Sequence, residues 1–134
     1  MTAAFRTSGT GRLKGAKPVS FSFDGASYQA LEGDTLASAL LANGVHLMGR
    51  SFKYHRPRGV LSAGAEEPNA LVGIHRDAAR KTPNVRATVQ EVYQGLTAVS
   101  QNRWPSLAFD IGAVNELASP MFSAGFYYKT FMWP

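Results

Sequence analysis

Residues 18–45 read PVSFSFDGASYQALEGDTLASALLANGV, and this stretch decides the fold class. Over residues 19–23, apolar side chains alternate with serines, which is the period-two pattern of a β-strand with one buried face. Asp24-Gly25 follows as a tight-turn pair, and extended character resumes over residues 27–31. The stretch therefore predicts a β-hairpin.

A short amphipathic helix is predicted directly after the hairpin. Asp34 or Thr35 can cap the free N–H groups at its start, and Gly44 stands where a left-handed C-terminal cap belongs. The large apolar residues of this segment fall on one stripe, and they are Leu36, Leu40 and Leu41. A hairpin followed by a short helix that packs on it is the opening of a β-grasp domain.

The rest of the chain adds further strands and two less regular ends. Strands are predicted at residues 70–74 and 85–93, joined by residues 76–84, with a last edge strand at residues 95–99. The predicted fold class is α+β, a β-grasp mixed sheet packed with one short helix, plus an irregular C-terminal extension. The predicted divisions are a flexible lead-in (1–16), the β-grasp domain (17–100) and an aromatic-rich extension (101–134).

The composition predicts a folded, soluble chain. It has 134 residues, of which 45% are hydrophobic, and a net charge of +5, which permits an anionic partner without identifying one. It contains no cysteine, which excludes disulfides, thiolate metal sites and a cysteine nucleophile. Neither a signal-peptide core nor a bilayer-spanning run is present, so a cytoplasmic location is expected.

Aromatic residues crowd the end of the chain. Six of the last 13 residues are aromatic, namely Phe122, Phe126, Tyr127, Tyr128, Phe131 and Trp133. Because exposed apolar surface of this extent invites association, these residues are candidates for an interface. We expect the extension to continue into, or to pack against, a larger structure.

A basic loop precedes the second half of the domain. Four fixed positive charges fall within nine residues, at Arg50, Lys53, Arg56 and Arg58, with His55 among them. Three roles are open, ranked in this order: a solvated loop with Phe52 or Tyr54 turned inward, a clamp for phosphate or carboxylate oxygens, and a nucleic-acid surface. No catalytic or metal-binding constellation stands out, and the adjacent Glu66 and Glu67 are expected to diverge into solvent.

One segment carries a family resemblance. Residues 49–72, GRSFKYHRPRGVLSAGAEEPNALV, together with residues 32–45 and 126–134, resemble the N-terminal part of the alpha subunits of heterotetrameric sarcosine oxidases. The resemblance covers essentially the whole chain. It implies a [2Fe–2S] ferredoxin-like β-grasp domain, because related amine and imino-acid dehydrogenase subunits begin with one.

In those relatives, a Pro-Arg-Gly turn is followed by three cysteines spaced five and then three apart. The same distances here lead to Ser62, Glu67 and Ala70, none of which supplies a thiolate. The resemblance therefore implies a domain that has kept the scaffold, lost the metal and transfers no electrons.

The resemblance also implies a larger assembly around this chain. The alpha subunit would continue into a dinucleotide-binding and a folate-binding domain, and partner subunits would hold flavins that oxidise sarcosine to glycine. NAD, FAD, FMN and tetrahydrofolate are thus implied for the full complex, and none for this segment, which should not turn over sarcosine alone.

Two hypotheses follow. In the leading one, the chain is a structural and interaction module that docks on the rest of the alpha subunit or on another subunit. In the alternative, it is a free-standing basic β-grasp protein that binds nucleic acid or another anion through Arg50, Lys53, Arg56 and Arg58.

Overall fold

Residues 4–7 and 11–114 are described by the computed structural model, and their hydrogen bonds define one mixed sheet. The elements, in chain order, are β1 (Pro18–Phe23), β2 (Ala26–Leu31), α1 (Leu36–Ala42), β3 (Gly49–Arg50), β4 (Pro57–Arg58), β5 (Leu71–His75), β6 (Lys81–Arg86) and β7 (Leu96–Ser100). Single turns of 3-10 helix lie at Gly64–Glu66 and Ile111–Ala113.

The main sheet has five strands in the order β2-β1-β7-β5-β6. Its central pair, β1 and β7, is parallel, whereas the other neighbours are antiparallel. One short helix packs against this sheet. The predicted α+β class with a mixed β-grasp sheet is therefore confirmed.

The first hairpin forms as its sequence predicts. Only Asp24 and Gly25 separate β1 from β2, and both have positive φ angles, of 50° and 84°. Two consecutive positive φ angles match the twist of a two-residue hairpin turn, which is why Asp-Gly suits this position. Phe21 and Phe23 point into the core, where each is 3% exposed.

The helix begins and ends at the predicted residues. The Thr35 hydroxyl accepts a hydrogen bond from the Ser38 amide at 3.2 Å, and Gly44 follows the last turn with a φ of 80°. Two amides at the helix start donate to carbonyl oxygens at residues 87 and 90. The large, fully buried apolar side chains lie between helix and sheet, and they are Leu36, Leu40, Met48, Val72, Ile74 and Leu96.

The predicted strand at residues 85–93 is wrong in its position. β6 covers Lys81–Arg86 and so includes part of the segment predicted as a connection. The chain then turns, since the Val89 amide donates to the Arg86 carbonyl oxygen at 3.2 Å. β6 is an edge strand, where the missing N–H of Pro83 and solvent-facing side chains are tolerated.

The last predicted strand exists but is not an edge strand. β7 lies in the middle of the sheet, between β1 and β5. Leu96 and Ala98 are fully buried, and the three residues of β7 that pair with β1 do so in parallel. β7 has only five residues, two of them small and polar, and this sequence does not indicate a central strand. Its parallel partner lies 70 or more residues away, so the local sequence cannot reveal the pairing.

The two ends of the described chain contact the domain. In the predicted lead-in, the Phe5 amide donates to the Ala42 carbonyl oxygen at 3.0 Å, and Arg6 forms an ion pair with the buried Asp34.

The six aromatic interface candidates of the extension lie outside the described residues. Within the described part, no helix is long and apolar enough to cross a membrane.

Candidate functional site

The predicted basic loop is the tip of a small second hairpin. β3 and β4 pair in antiparallel register and hold this loop between them. At the tip, His55 has a positive φ of 53°, and its amide donates to the Ser51 carbonyl oxygen at 3.1 Å. We call residues 49–58 the basic hairpin.

Arg50 and His55 of the basic hairpin are held by the segment that follows the sheet. The Arg50 guanidinium donates to the carbonyl oxygens of Leu107 at 2.9 Å and His55 at 2.7 Å, and its side chain is only 8% exposed. The Asp110 carboxylate lies 2.7 Å from Nδ1 of His55 and 3.5 Å from Nε of Arg50. Arg50 and His55 therefore fasten the basic hairpin to the chain around residue 110.

The Asp110 carboxylate is the centre of this contact. It is fully buried and also accepts hydrogen bonds from the amides of Trp104 at 3.1 Å and Gly112 at 2.8 Å. Burial acts to raise the pKa of Asp110, but the hydrogen bonds from His55 and the two amides outweigh it. The pKa of this carboxyl group therefore lies below its ordinary value.

The other cations of the basic hairpin lie around an aromatic ring and a cleft. Lys53 and Arg56 each lie 4.9 Å from the centre of the Tyr54 ring, within cation–π range. Arg58 lines an open cleft of ≈ 870 Å³ with the 44%-exposed Phe52. All five predicted anion- or partner-binding residues are thus in one hairpin, and their binding role stays a prediction.

Gly59, directly after the basic hairpin, passes close to the main chain, and its replacement gives a first prediction. A Cβ atom there would lie 2.5 Å from the carbonyl oxygen of His46. Because backbone atoms cannot easily move aside, we expect Gly59→Ala to lower the free energy of unfolding by about 1–3 kcal/mol in a urea titration. In Gly49→Ala, the matched control, the nearest atom is 3.4 Å away. Equal losses in the two variants would contradict the steric cause.

Ser62, Glu67 and Ala70, the positions at which the resemblance places cluster cysteines, come together around one carboxylate. Glu67 is fully buried. Its Oε2 accepts from the amides of Leu61 and Ser62, both at 2.7 Å, and its Oε1 accepts from those of Asn69 at 2.8 Å and Ala70 at 3.3 Å. We call these four N–H groups the amide nest.

The expectation that Glu66 and Glu67 both point into solvent is wrong for Glu67. Glu66 is exposed, whereas Glu67 turns inward because the amide nest solvates its charge. Burial acts to raise the pKa of Glu67, but the four backbone hydrogen bonds together outweigh it. The pKa of this carboxyl group therefore lies below its ordinary value, and the group is ionised at neutral pH.

Thr88 is a site residue that the sequence did not reveal. It is 9% exposed, and its hydroxyl donates to the Gly64 carbonyl oxygen at 2.6 Å. This contact ties the chain after β6 to the loop of residues 61–70. The strand predicted at residues 85–93 gave no reason to select Thr88 as a site residue, since threonine is an ordinary residue in a strand.

The chain was compared with known proteins. The family described as "2Fe-2S iron-sulfur cluster binding domain" matches residues 16–103. The chain belongs to this family. In a solved structure, the crystal structure of L-proline dehydrogenase from P. horikoshii, a 25% identical match covers 68% of this chain and 17% of that one, with a TM-score of 0.54.

Two curated relatives of this family member carry the name sarcosine oxidase subunit alpha. The one from Rhizobium meliloti (strain 1021) is 73% identical over 117 residues, which are 87% of this chain and 12% of that protein. The one from Corynebacterium sp. (strain U-96) is 42% identical over 98 residues, which are 72% of this chain and 10% of that protein. The resemblance to the sarcosine oxidase alpha subunit is confirmed, and the chain spans about an eighth of these relatives or less.

The residues of this family member do not fit the cluster for which the 2Fe-2S iron–sulfur cluster binding domain is named. Such a cluster is held by cysteine thiolates, and the chain contains no cysteine. Ser62, Glu67 and Ala70 stand at the expected ligand positions, and the Glu67 carboxylate fills the space to which the amide nest points. Among the described residues, no group of three or more metal-ligating side chains is placed to hold an ion.

Proposed function

We propose that the chain is a structural and interaction module of a sarcosine oxidase alpha subunit. It would belong to a flavin-dependent complex that oxidatively demethylates sarcosine to glycine. The observation that carries this proposal is the 73% identity over 117 residues to an alpha subunit. In this proposal NAD, FAD, FMN and tetrahydrofolate bind elsewhere in the complex, and the chain contributes no catalytic residue.

The exposed apolar residues of the described part support an interaction role. Several follow one another after the main sheet, where the chain is fastened to the basic hairpin, and they are Trp104 (65%), Phe109 (69%), Ile111 (47%) and Val114 (60%). Large aromatic residues near arginines are typical of interface hot spots. A surface held by the Asp110 contacts would dock without first having to become ordered.

Association with the other parts of the enzyme tests the proposal. We expect the tagged 134-residue chain to co-purify with the remainder of the alpha subunit or with a partner subunit when they are co-expressed. Phe109→Ser should weaken this association by roughly tenfold or more if the exposed ring is an anchor. Leu61→Ser is the matched control, since Leu61 is also a large apolar residue and is 70% exposed.

A clean monomer that ignores the other subunits, under conditions in which the full-length alpha subunit assembles, would reject the proposed role. The alternative anion-binding role makes a different prediction. It requires an affinity for oligonucleotides at low salt that falls steeply as salt is added. The contacts of Arg50 and His55 with Asp110 support the structural role instead, because they commit two of the five candidate binding residues to the fold.

A further inference from the structure

Four backbone N–H groups converge on one point in the loop of residues 61–70. Two of them are the amides of Ser62 and Ala70, which stand at positions where the family resemblance implies cluster cysteines. Concave arrangements of successive N–H groups are anion sites, and they surround phosphates and many iron–sulfur clusters. The amide nest thus has the chemistry of an iron–sulfur cradle, although no thiolate lines it.

We propose that the Glu67 carboxylate has replaced the iron–sulfur cluster as the anion around which this loop folds. The side chain comes from one of the ligand positions and turns its own charge into the amide nest. The loop keeps its N–H donors satisfied without a metal, because the protein supplies the anion from within.

The other ligand positions carry no charge that would compete with Glu67. Ala70 is fully buried, and the Ser62 hydroxyl oxygen is buried with no hydrogen-bond partner among residues 4–7 and 11–114. The plant-type cysteine pattern includes a more distant fourth cysteine. Thr88 reaches the loop from beyond β6 through its hydrogen bond to Gly64, so the structure assigns Thr88 to that fourth position.

The effect of the negative charge of the Glu67 side chain can be tested separately from the effect of its size. A glutamine has nearly the same shape, but its amide presents one acceptor and one NH₂ group. In Glu67→Gln, that NH₂ group would face two of the four N–H donors, which leaves them unsatisfied inside the protein. A role as mere space filler would tolerate this change, whereas a role as the anion of the nest would not.

The first test is the thermal midpoint of the 134-residue chain. We expect Glu67→Gln to lower it by roughly 5–15 °C, because buried donors lose a charged partner. Glu66→Gln is the matched control at the neighbouring, exposed position and should melt like the unaltered chain. A Glu67→Gln variant with an unchanged midpoint would overturn the proposal.

The second test uses a Glu67 variant that needs an added anion in order to fold. Glu67→Ala removes the carboxylate and leaves space where it stood, so formate or acetate should raise its midpoint, or restore its folding, more than an equal concentration of chloride. In the unaltered chain, formate or acetate should shift the thermal midpoint no more than the same concentration of chloride does. Absence of any carboxylate-specific rescue would count against an anion requirement in the nest.

The third test asks whether the cradle itself is retained. The fourfold variant Ser62→Cys, Glu67→Cys, Ala70→Cys and Thr88→Cys would be reconstituted with ferric iron and sulfide under anaerobic conditions. We expect the visible absorbance of an oxidised [2Fe–2S] protein and, after one-electron reduction with dithionite, its electron paramagnetic resonance spectrum, together with a thermal midpoint above that of Glu67→Ala. A control that keeps Thr88 should hold less cluster, and a fourfold variant that binds none would refute the inherited cradle.

Discussion

Asp110→Ala is expected to lower the free energy of unfolding by about 3–5 kcal/mol, because it leaves the buried Arg50 guanidinium and the partly buried His55 imidazole without their carboxylate partner. The Arg50 side chain is 8% exposed and that of His55 is 19% exposed, so water can replace the lost partner only in part. The amides of Trp104 and Gly112 lose their acceptor as well. The chain around residue 110 should then detach from the basic hairpin.

Chemical denaturation measures the loss, and hydrogen exchange shows where it occurs. We expect the amides of residues 101–114 to exchange faster, while those of β1 and β7 change only with global stability. Asp77→Ala is the control, since Asp77 is an exposed carboxylate in the turn between β5 and β6 and should have a much smaller effect. An Asp110→Ala variant as stable as that control would show that the ion pairs contribute nothing.

Acid should remove the same contribution in the unaltered protein. The pKa of Asp110 is lower in the folded than in the unfolded state, so the folded state binds its proton less readily. The stabilisation is therefore complete above the unfolded pKa, about 3.9, and is lost as the pH falls through the lower folded value. The difference in stability between the protein and Asp110→Ala should accordingly narrow as the pH falls through this acidic range.

Leu40→Ala is the second substitution for which a large effect is expected. Leu40 lies on α1, is fully buried and belongs to the core between helix and sheet. Truncation removes apolar contacts and leaves a cavity that a short helix of seven residues, held at both ends, cannot close. We expect a loss of about 2–5 kcal/mol in the free energy of unfolding.

Urea denaturation with an unchanged m-value would measure the Leu40→Ala effect as a change in stability alone. Leu61→Ala is the control, because Leu61 is 70% exposed and should change stability little. Similar midpoints for the two variants would contradict a core that depends on α1.

The local elements were predictable because their determinants are neighbours in sequence. Asp24 and Gly25 fix the first turn, and Thr35 caps a helix only seven residues long. The positions of β6 and β7 were not predictable in the same way. β6 becomes a strand through pairing with β5 despite Pro83, and β7 owes its central place to a distant parallel partner.

The candidate site, too, was predictable only where its determinants are close in sequence. Counting from the Pro-Arg-Gly turn identified Ser62, Glu67 and Ala70, and the structure brings all three to one point. The count could not reveal that Glu67 turns inward, because this depends on four main-chain N–H directions that no residue type encodes. Likewise, Asp110 looked unremarkable in sequence, since its partners Arg50 and His55 precede it by 55 residues or more.

The parallel contact between β1 and β7 also sets an order for folding. β1 is synthesised well before β7, its neighbour in the sheet, which is completed only at Ser100. Until then the hairpin and α1 can form, but the middle of the sheet must stay open and one side of β1 unpaired. Contacts of such sequence separation make folding slow, so the nascent chain carries an exposed strand edge until β7 has been synthesised.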